Sequence, residues 1–233
     1  MVNASELPDL PVTDSTGYRL VNSKFPPIAL FDDVADADEF EAVYACQTLT
    51  NPRLQNEVGN LNLLPAEEIP FGIDGVSYAV APFTHVNPDG SRFSAGDFGV
   101  LYIADTAETA IEEVRHHQQE YWNNVEGLAY DRFVFRELCC QFQTSVYKDL
   151  PRTDTNAIYL DPDDYSHSQR LGLQLKQNNT GGLRYPSVRN EGRECFALFS
   201  PRTVTRVFQS KHYEMVYREG QLTVNQLVAS PGR

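Results

Sequence analysis

The chain has 233 residues, 41% of them hydrophobic and 22% charged. That is a globular composition, which excludes extended disorder and allows roughly 70% of the unfolded surface to be buried in one large domain. Against 32 acidic residues stand 19 basic ones, a formal net charge of -13, so the overall field repels nucleic acid and anionic membrane and neither is expected as a direct ligand.

An anionic ligand would have to be held by arginines acting locally against that field, which makes arginine positions informative. Cys46, Cys139, Cys140 and Cys195 form no CxxC pair, and the adjacent Cys139 and Cys140 would point to opposite faces of a strand. Neither a zinc site nor a disulfide framework is expected, and reduced thiols fit a cytoplasmic protein. The opening MVNASELPDLPVTDS has no basic and apolar leader pattern, and no run approaches the ~20 apolar residues of a membrane span.

Residues 1–16, rich in Pro, Asp and Ser, read as a loose tail that could dock on the body. The remainder, 17–233, reads as one domain with an N-terminal helical extension over about 34–70. Tyr18 to Val21 predicts a short strand, and Phe25-Pro26-Pro27 an extended or turning segment. A helix is predicted from Asp36 to about Leu49, with Phe40, Val43, Tyr44 and Leu49 as its buried stripe. Arg53 to Pro70 has no clean period and is expected to be irregular.

Val76 to Ala81 and Val100 to Ala104 read as strands, joined by the glycine-punctuated loop NPDGSRFSAGDFG, which carries Arg92. Asp105-Thr106-Ala107-Glu108 has capping-box spacing and predicts a helix start, with Ala107, Ala110, Ile111, Val114 and Tyr121 on one face. Glu113 falls about 100° from the centre of that face, at its rim. His116 and His117 are adjacent, not i, i+4, so they cannot share a metal in the usual helical way and read as solvated-face residues.

Further strands are predicted near Arg132–Phe142, Ser145–Lys148, Ala157–Leu160, Leu183–Val188, Cys195–Phe199, Thr203–Gln209 and Tyr213–Tyr217. A helix from about Pro162 to Gln177 stops at the Asn-Asn-Thr-Gly-Gly run. Strands outnumber helices without alternating with them, which indicates α+β. Nucleotide-binding glycine loops, HExxH and GxSxG are absent, so dehydrogenases, P-loop NTPases, zincins and α/β-hydrolases lose support.

Three segments carry a resemblance: SRFSAGDFGVLYIADTAETAIEEVRHH at 91–117, GGLRYPSVRNEGRECFALFSPRTV at 181–204 and GYRLVNSKFPPIALFDDV at 17–34. Together they resemble the RES domain family, the toxin half of a widespread bacterial toxin-antitoxin system. That family has a loop Arg, a strand Tyr and a helix Glu at spacings of ten and eleven, then a distant Ser; Arg92, Tyr102, Glu113 and Ser187 stand in those places. The long acidic N-terminal part and the wide gap between Arg19 and Arg92 depart from the shorter family members.

The resemblance implies an ADP-ribosyltransferase-like mixed β core flanked by helices, and cleavage of NAD at the nicotinamide-ribose bond with water or phosphate as acceptor. NAD is then substrate, no metal is required, and a helix-turn-helix (Xre-type) antitoxin is the implied partner, with the homo-oligomeric state left open. Glu113 would stabilise positive charge on the ribose, Arg92 and Arg19 would grip pyrophosphate, Tyr102 would pack against the ligand, and Ser187 would hydrogen-bond it. Arg184 and Arg189 flank Ser187 and read either as phosphate contacts or as surface residues. A protein ADP-ribosyltransferase using the same site and a catalytically silent binding module are the alternatives.

Overall fold

The computed structural model describes residues 3–25, 31–32, 34, 36–48 and 58–228. Leu49, Pro26, Pro27 and the start of the irregular stretch at 53–57, all named above, lie outside the described residues. The α+β expectation holds. The strands form one eight-stranded sheet: β1 (Asp14–Asn22), β2 (Leu101–Ala104), β3 (Tyr130–Gln143), β4 (Tyr147–Asp149), β5 (Gly182–Pro186), β6 (Glu194–Leu198), β7 (Val204–Arg218) and β8 (Gln221–Leu227). Their order is β4-β5-β6-β2-β1-β3-β7-β8. Every pairing is antiparallel except the parallel β4–β5 pair.

Side chains alternate across a strand, so this sheet feeds two cores. Val100, Ala104, Leu183 and Ala197 face one of them, with Trp122 and Leu171 from helices. Leu101, Ile103, Phe196 and Leu198 face the other. Four α-helices complete the described chain: α1 (Ala37–Thr48), α2 (Val76–Thr84), α3 (Ala107–Asn123) and α4 (Ser166–Gln177). Helix α1 starts where the Asp36 carboxylate accepts the Glu39 amide at 2.8 Å, and Phe40 stacks on Phe31 with ring centres 4.7 Å apart.

Three sequence expectations change. Val76 to Ala81 is helical: Gly75 enters at φ 73 and Val76, Ala79, Val80 and Phe83 are buried at helical spacing, a run too short and too apolar for its period to distinguish helix from strand. Ala157 to Leu160 belongs to a 3-10 helix, Asp154–Leu160, because Thr153 caps it and Asn156 donates to the Pro151 carbonyl. The two strands predicted over 203–217 are one strand. Its polar middle reads as a turn, but β7 bulges there, setting Ser210 and Lys211 against the buried Glu137, which accepts from Ser210 Oγ at 2.5 Å and Tyr213 OH at 3.1 Å. β8 was unexpected; it returns through Glu219 and Gly220, both left-handed, a hairpin turn that Glu rarely signals.

Residues 3–13 are docked on the body. Ala4 and Leu7 are buried, Asp149 N–H donates to the Pro8 carbonyl at 2.9 Å, and Leu10 N–H donates to Tyr147 O at 2.8 Å. The segment covers the edge of β4, where unpaired main-chain groups need partners, and β1 already begins at Asp14.

The joint between β1 and β2 rests on one register pair, Tyr18 opposite Ala104. Gly17 permits it: a Cβ there would lie 2.3 Å from Ile103 Cγ2 and 2.7 Å from the Ala104 oxygen. Gly17→Val is expected to destabilise the protein by about 1–3 kcal/mol through this overpacking, read as a lowered midpoint in urea unfolding. An unchanged midpoint would show that the strands can separate there without cost.

Candidate active site

Past that single pair β1 and β2 part, and a cavity of about 670 Å³ opens between them, within the ~300–1,000 Å³ typical of small-molecule sites. Tyr18, Arg19 and Leu20 of β1 line it with Tyr102, Ile103 and Ala104 of β2, and α3 contributes Ala110, Glu113, Val114, His117 and Glu120. Thus Arg19, Arg92, Tyr102 and Glu113, far apart in sequence, share one cavity wall.

Helix α3 starts one residue later than the capping box predicted. Thr106 is the N-cap and accepts the Thr109 amide at 3.2 Å, while Asp105 accepts from the Thr109 hydroxyl at 2.9 Å. Glu108 is exposed and takes no part. At the far end Trp122, not Tyr121, enters the core: its ring lies 5.3 Å from Phe133 and its Nε1 donates to Asp131 at 2.8 Å, leaving Tyr121 54% exposed. The amphipathic face is otherwise as predicted, and it sets Glu113 on the flank beside the strand gap.

Glu113 is held from outside its helix. Its Oε1 accepts from Ser187 Oγ at 2.6 Å, and Cys195 Sγ lies 3.8 Å away. Ser187 is fully buried, and its oxygen in turn accepts the amides of Arg189 at 3.2 Å and Asn190 at 3.0 Å. Its one proton and its lone pairs are therefore committed. The structure places Ser187 behind Glu113, not on the cavity wall where the resemblance had it bonding a ligand.

Arg92 sits on a loop that is tightly fixed. Tyr102 OH accepts the Phe93 amide at 2.9 Å and pairs with Ser91 Oγ at 2.9 Å, so it bonds both neighbours of Arg92. Burial pushes the Tyr102 phenol up to about 12, so the hydroxyl keeps its proton at neutral pH. Phe93 is buried, and Gly172 of α4 lets the helix approach it: a Cβ there would fall 1.9 Å from the Phe93 oxygen. The Arg92 guanidinium donates through Nη1 to the Asp161 carbonyl at 2.7 Å and lies 4.5 Å from the Tyr165 ring centre, a cation-π contact. Its other donors remain for the cavity.

Arg19 differs. Its Nη1 is buried and makes no hydrogen bond among the described residues. Burial pulls its pKa below the usual value, with Cys140 and Tyr102 opposing, but a guanidinium stays charged in proteins. A buried cationic donor without a partner is costly and calls for an anion or acceptor.

Arg189, left open by the sequence, also lines the cavity and donates through Nη2 to Pro162 O at 3.0 Å. Arg184 does not line it. A bidentate pair with Asp149 at 2.9 and 2.8 Å holds Arg184 elsewhere. His117, read as solvated, stands in the cavity, as do Tyr165 and Tyr185. The i, i+4 spacing from Glu113 could have found His117; the two tyrosines have no sequence signal, because tertiary folding alone brings them there. No group of three metal-ligating side chains occurs among the described residues, and among them no helix is long and apolar enough to cross a membrane.

The family model of the RES domain matches residues 69–218. A curated relative, the uncharacterized protein y4oC of Sinorhizobium fredii (strain NBRC 101917 / NGR234), is 26% identical over 213 residues, covering 89% of this chain and 85% of that protein. Among solved structures, a chain of the M. tuberculosis MbcT-MbcA toxin-antitoxin complex is similar over 53% of this chain and 73% of its own, at 13% identity and a TM-score of 0.38.

Two substitutions test the local geometry. Ser187→Ala removes the donor to Glu113 and the acceptor of two amides, and is expected to cost about 1–3 kcal/mol in chemical unfolding; a neutral result would show that water replaces the hydroxyl. Tyr102→Phe is expected to speed hydrogen exchange of the Phe93 amide while leaving strand β2 protected. Unchanged exchange at Phe93 would mean that the loop is held by other contacts.

Proposed function

The chain belongs to the RES domain family, and we propose that it is a toxin-antitoxin toxin that degrades NAD by cleaving the nicotinamide-ribose bond. The observation that carries this reading is the cavity itself. In a chain of net charge -13 it gathers Arg19, Arg92 and Arg189 about one immobilised carboxylate, Glu113. Such a site suits a ligand with an anionic pyrophosphate and a centre that becomes cationic.

The proposed reaction follows from that pairing. Nicotinamide leaves as a neutral base, and the ribose it leaves becomes oxocarbenium-like. A carboxylate fixed beside the sugar stabilises that charge without having to reorganise. Arg19 brings an unsatisfied buried donor, which fits a phosphate oxygen, and Arg92 is oriented by Tyr165 and Asp161 for the same task. Tyr102 contributes twice: its ring forms part of the wall, and its hydroxyl sets the Arg92 loop. Water or inorganic phosphate would then attack the ribose.

In a cell this activity would deplete NAD, so an antitoxin is required; a helix-turn-helix (Xre-type) protein covering the cavity is the partner proposed. Cytoplasmic residence follows from where NAD and such an antitoxin would be found.

Purified protein incubated with NAD is expected to release nicotinamide, and Glu113→Gln to slow that release by about 10²–10³-fold, the usual range for loss of one preorganised electrostatic group. Intact NAD in the presence and absence of phosphate, or full activity in Glu113→Gln, would sink the reading. A labelled protein band after incubation of labelled NAD with lysate would instead identify a protein ADP-ribosyltransferase.

A further inference from the structure

His117 follows Glu113 by four residues on α3, so the two side chains leave the helix only about 40° apart, and both line the cavity. The imidazole lines the cavity and is 57% exposed. Its Nδ1 lies 3.9 Å from Glu120 Oε2, beyond hydrogen-bond reach, so in the neutral ring one nitrogen is left to accept a proton.

The groups around the ring are Glu113, His116 and Glu120 from α3 and Arg189 from the loop after β5. Burial chiefly, then His116 and Arg189, pull the imidazole below its ordinary value, against the opposing pull of Glu113 and Glu120. His117 thus stands next to the carboxylate that would steady the ribose cation, with the charged form of its ring disfavoured.

We propose that His117 is a catalytic residue, the proton acceptor for an attacking water, so that hydrolysis of the glycosidic bond depends on it. This rests on the NAD-cleavage reading above. In the step, the water oxygen bonds to the ribose C1′ as the C1′–nitrogen bond breaks. That electron pair goes to the pyridinium nitrogen, which becomes neutral nicotinamide, and one water proton passes to the unprotonated ring nitrogen of His117 and then to solvent. The products are ADP-ribose, nicotinamide and a proton, so charge and atoms balance. Inorganic phosphate as acceptor brings an oxygen already deprotonated and needs no such base. His117 therefore separates the two acceptors chemically.

The test measures nicotinamide release and product mass for the full chain in phosphate-free buffer between pH 5 and 9, and again with added inorganic phosphate. Wild type is expected to lose hydrolytic kcat/KM as pH falls through the His117 ionisation, because the protonated ring cannot accept. His117→Gln is expected to be slower in hydrolysis by about 10²-fold or more, the usual contribution of a general base, with the acid limb flattened and NAD affinity unchanged. Added imidazole should partly restore hydrolysis in a His117→Ala variant, and in both variants the ratio of ribosyl phosphate to ADP-ribose formed with added phosphate should rise above that of wild type.

Equal hydrolysis and an unchanged acid limb in His117→Gln would overturn this inference while leaving NAD cleavage intact. So would a wild-type protein that cleaves NAD only when phosphate is present. Failure of wild type to cleave NAD under either condition would overturn the NAD-cleavage reading and this inference with it.

Discussion

The site depends on two strands that meet once and then separate. Antiparallel continuation of the Tyr18–Ala104 pair would set Arg19 opposite Ile103 and Leu20 opposite Tyr102, and main-chain hydrogen bonds would close the gap. Those four residues line the cavity instead. The sheet can tolerate the opening because β1 is held along its whole length by β3, from Asp14 to Asn22, and β2 by β6 over all four of its residues. Each strand is anchored on its outer side, so the inner sides are free to diverge. Gly17 brings the two halves close enough to touch at the one point where they do.

The same economy governs the carboxylate. Ser187 is joined to α3 by more than its bond to Glu113, because Asn190, whose amide also binds Ser187, donates from its side chain to Thr109 Oγ1 at 3.1 Å. Thr109 donates to Asp105, and Asp105 accepts from Arg193 Nε at 3.2 Å. The loop after β5 is thus stitched to α3 at Glu113 and again one and two turns before it, at Thr109 and Asp105. A mutation at Asn190 or Asp105 would therefore act on the carboxylate without touching any ligand.

Much of this was legible in the sequence, for reasons that differ by residue. Helix α3 could be read because its polar and apolar residues follow one period over five turns, and β2 because it precedes a capped start. The recurrence of Arg92, Tyr102 and Glu113 at family spacing picked out three residues that line one cavity. Periodicity could not, since each alone reads equally well as an ordinary loop, strand or helix residue. Helix α2 was misread because its run is short and apolar on nearly every side, where period carries no information. That the N-terminal tail could dock was foreseen, but not where, because the edge of β4 that it covers lies more than a hundred residues away. Ser187 was expected to bond a ligand, whereas it bonds Glu113, a partner that only tertiary structure brings to it.

Charge is where sequence and structure bear on each other most directly. The proposed ligand, a dinucleotide pyrophosphate, would meet a repulsive field from this acidic chain, and screening would reduce it only beyond about 8–10 Å in physiological salt. Within that distance the cavity presents three guanidiniums, and two of them are already oriented by backbone carbonyls: Arg92 by Asp161 and Arg189 by Pro162. Both carbonyls belong to the same short segment before α4, so that segment sets the anion site as firmly as the arginines do. Arg19 alone brings a buried donor with no protein partner. Of the three it has the most to gain from an incoming anion, because the desolvation cost of its charge has already been met in folding. The cavity also carries Glu113, Glu120 and Asp163, so an anion would be held by the guanidiniums it touches and not by any net positive charge of the site.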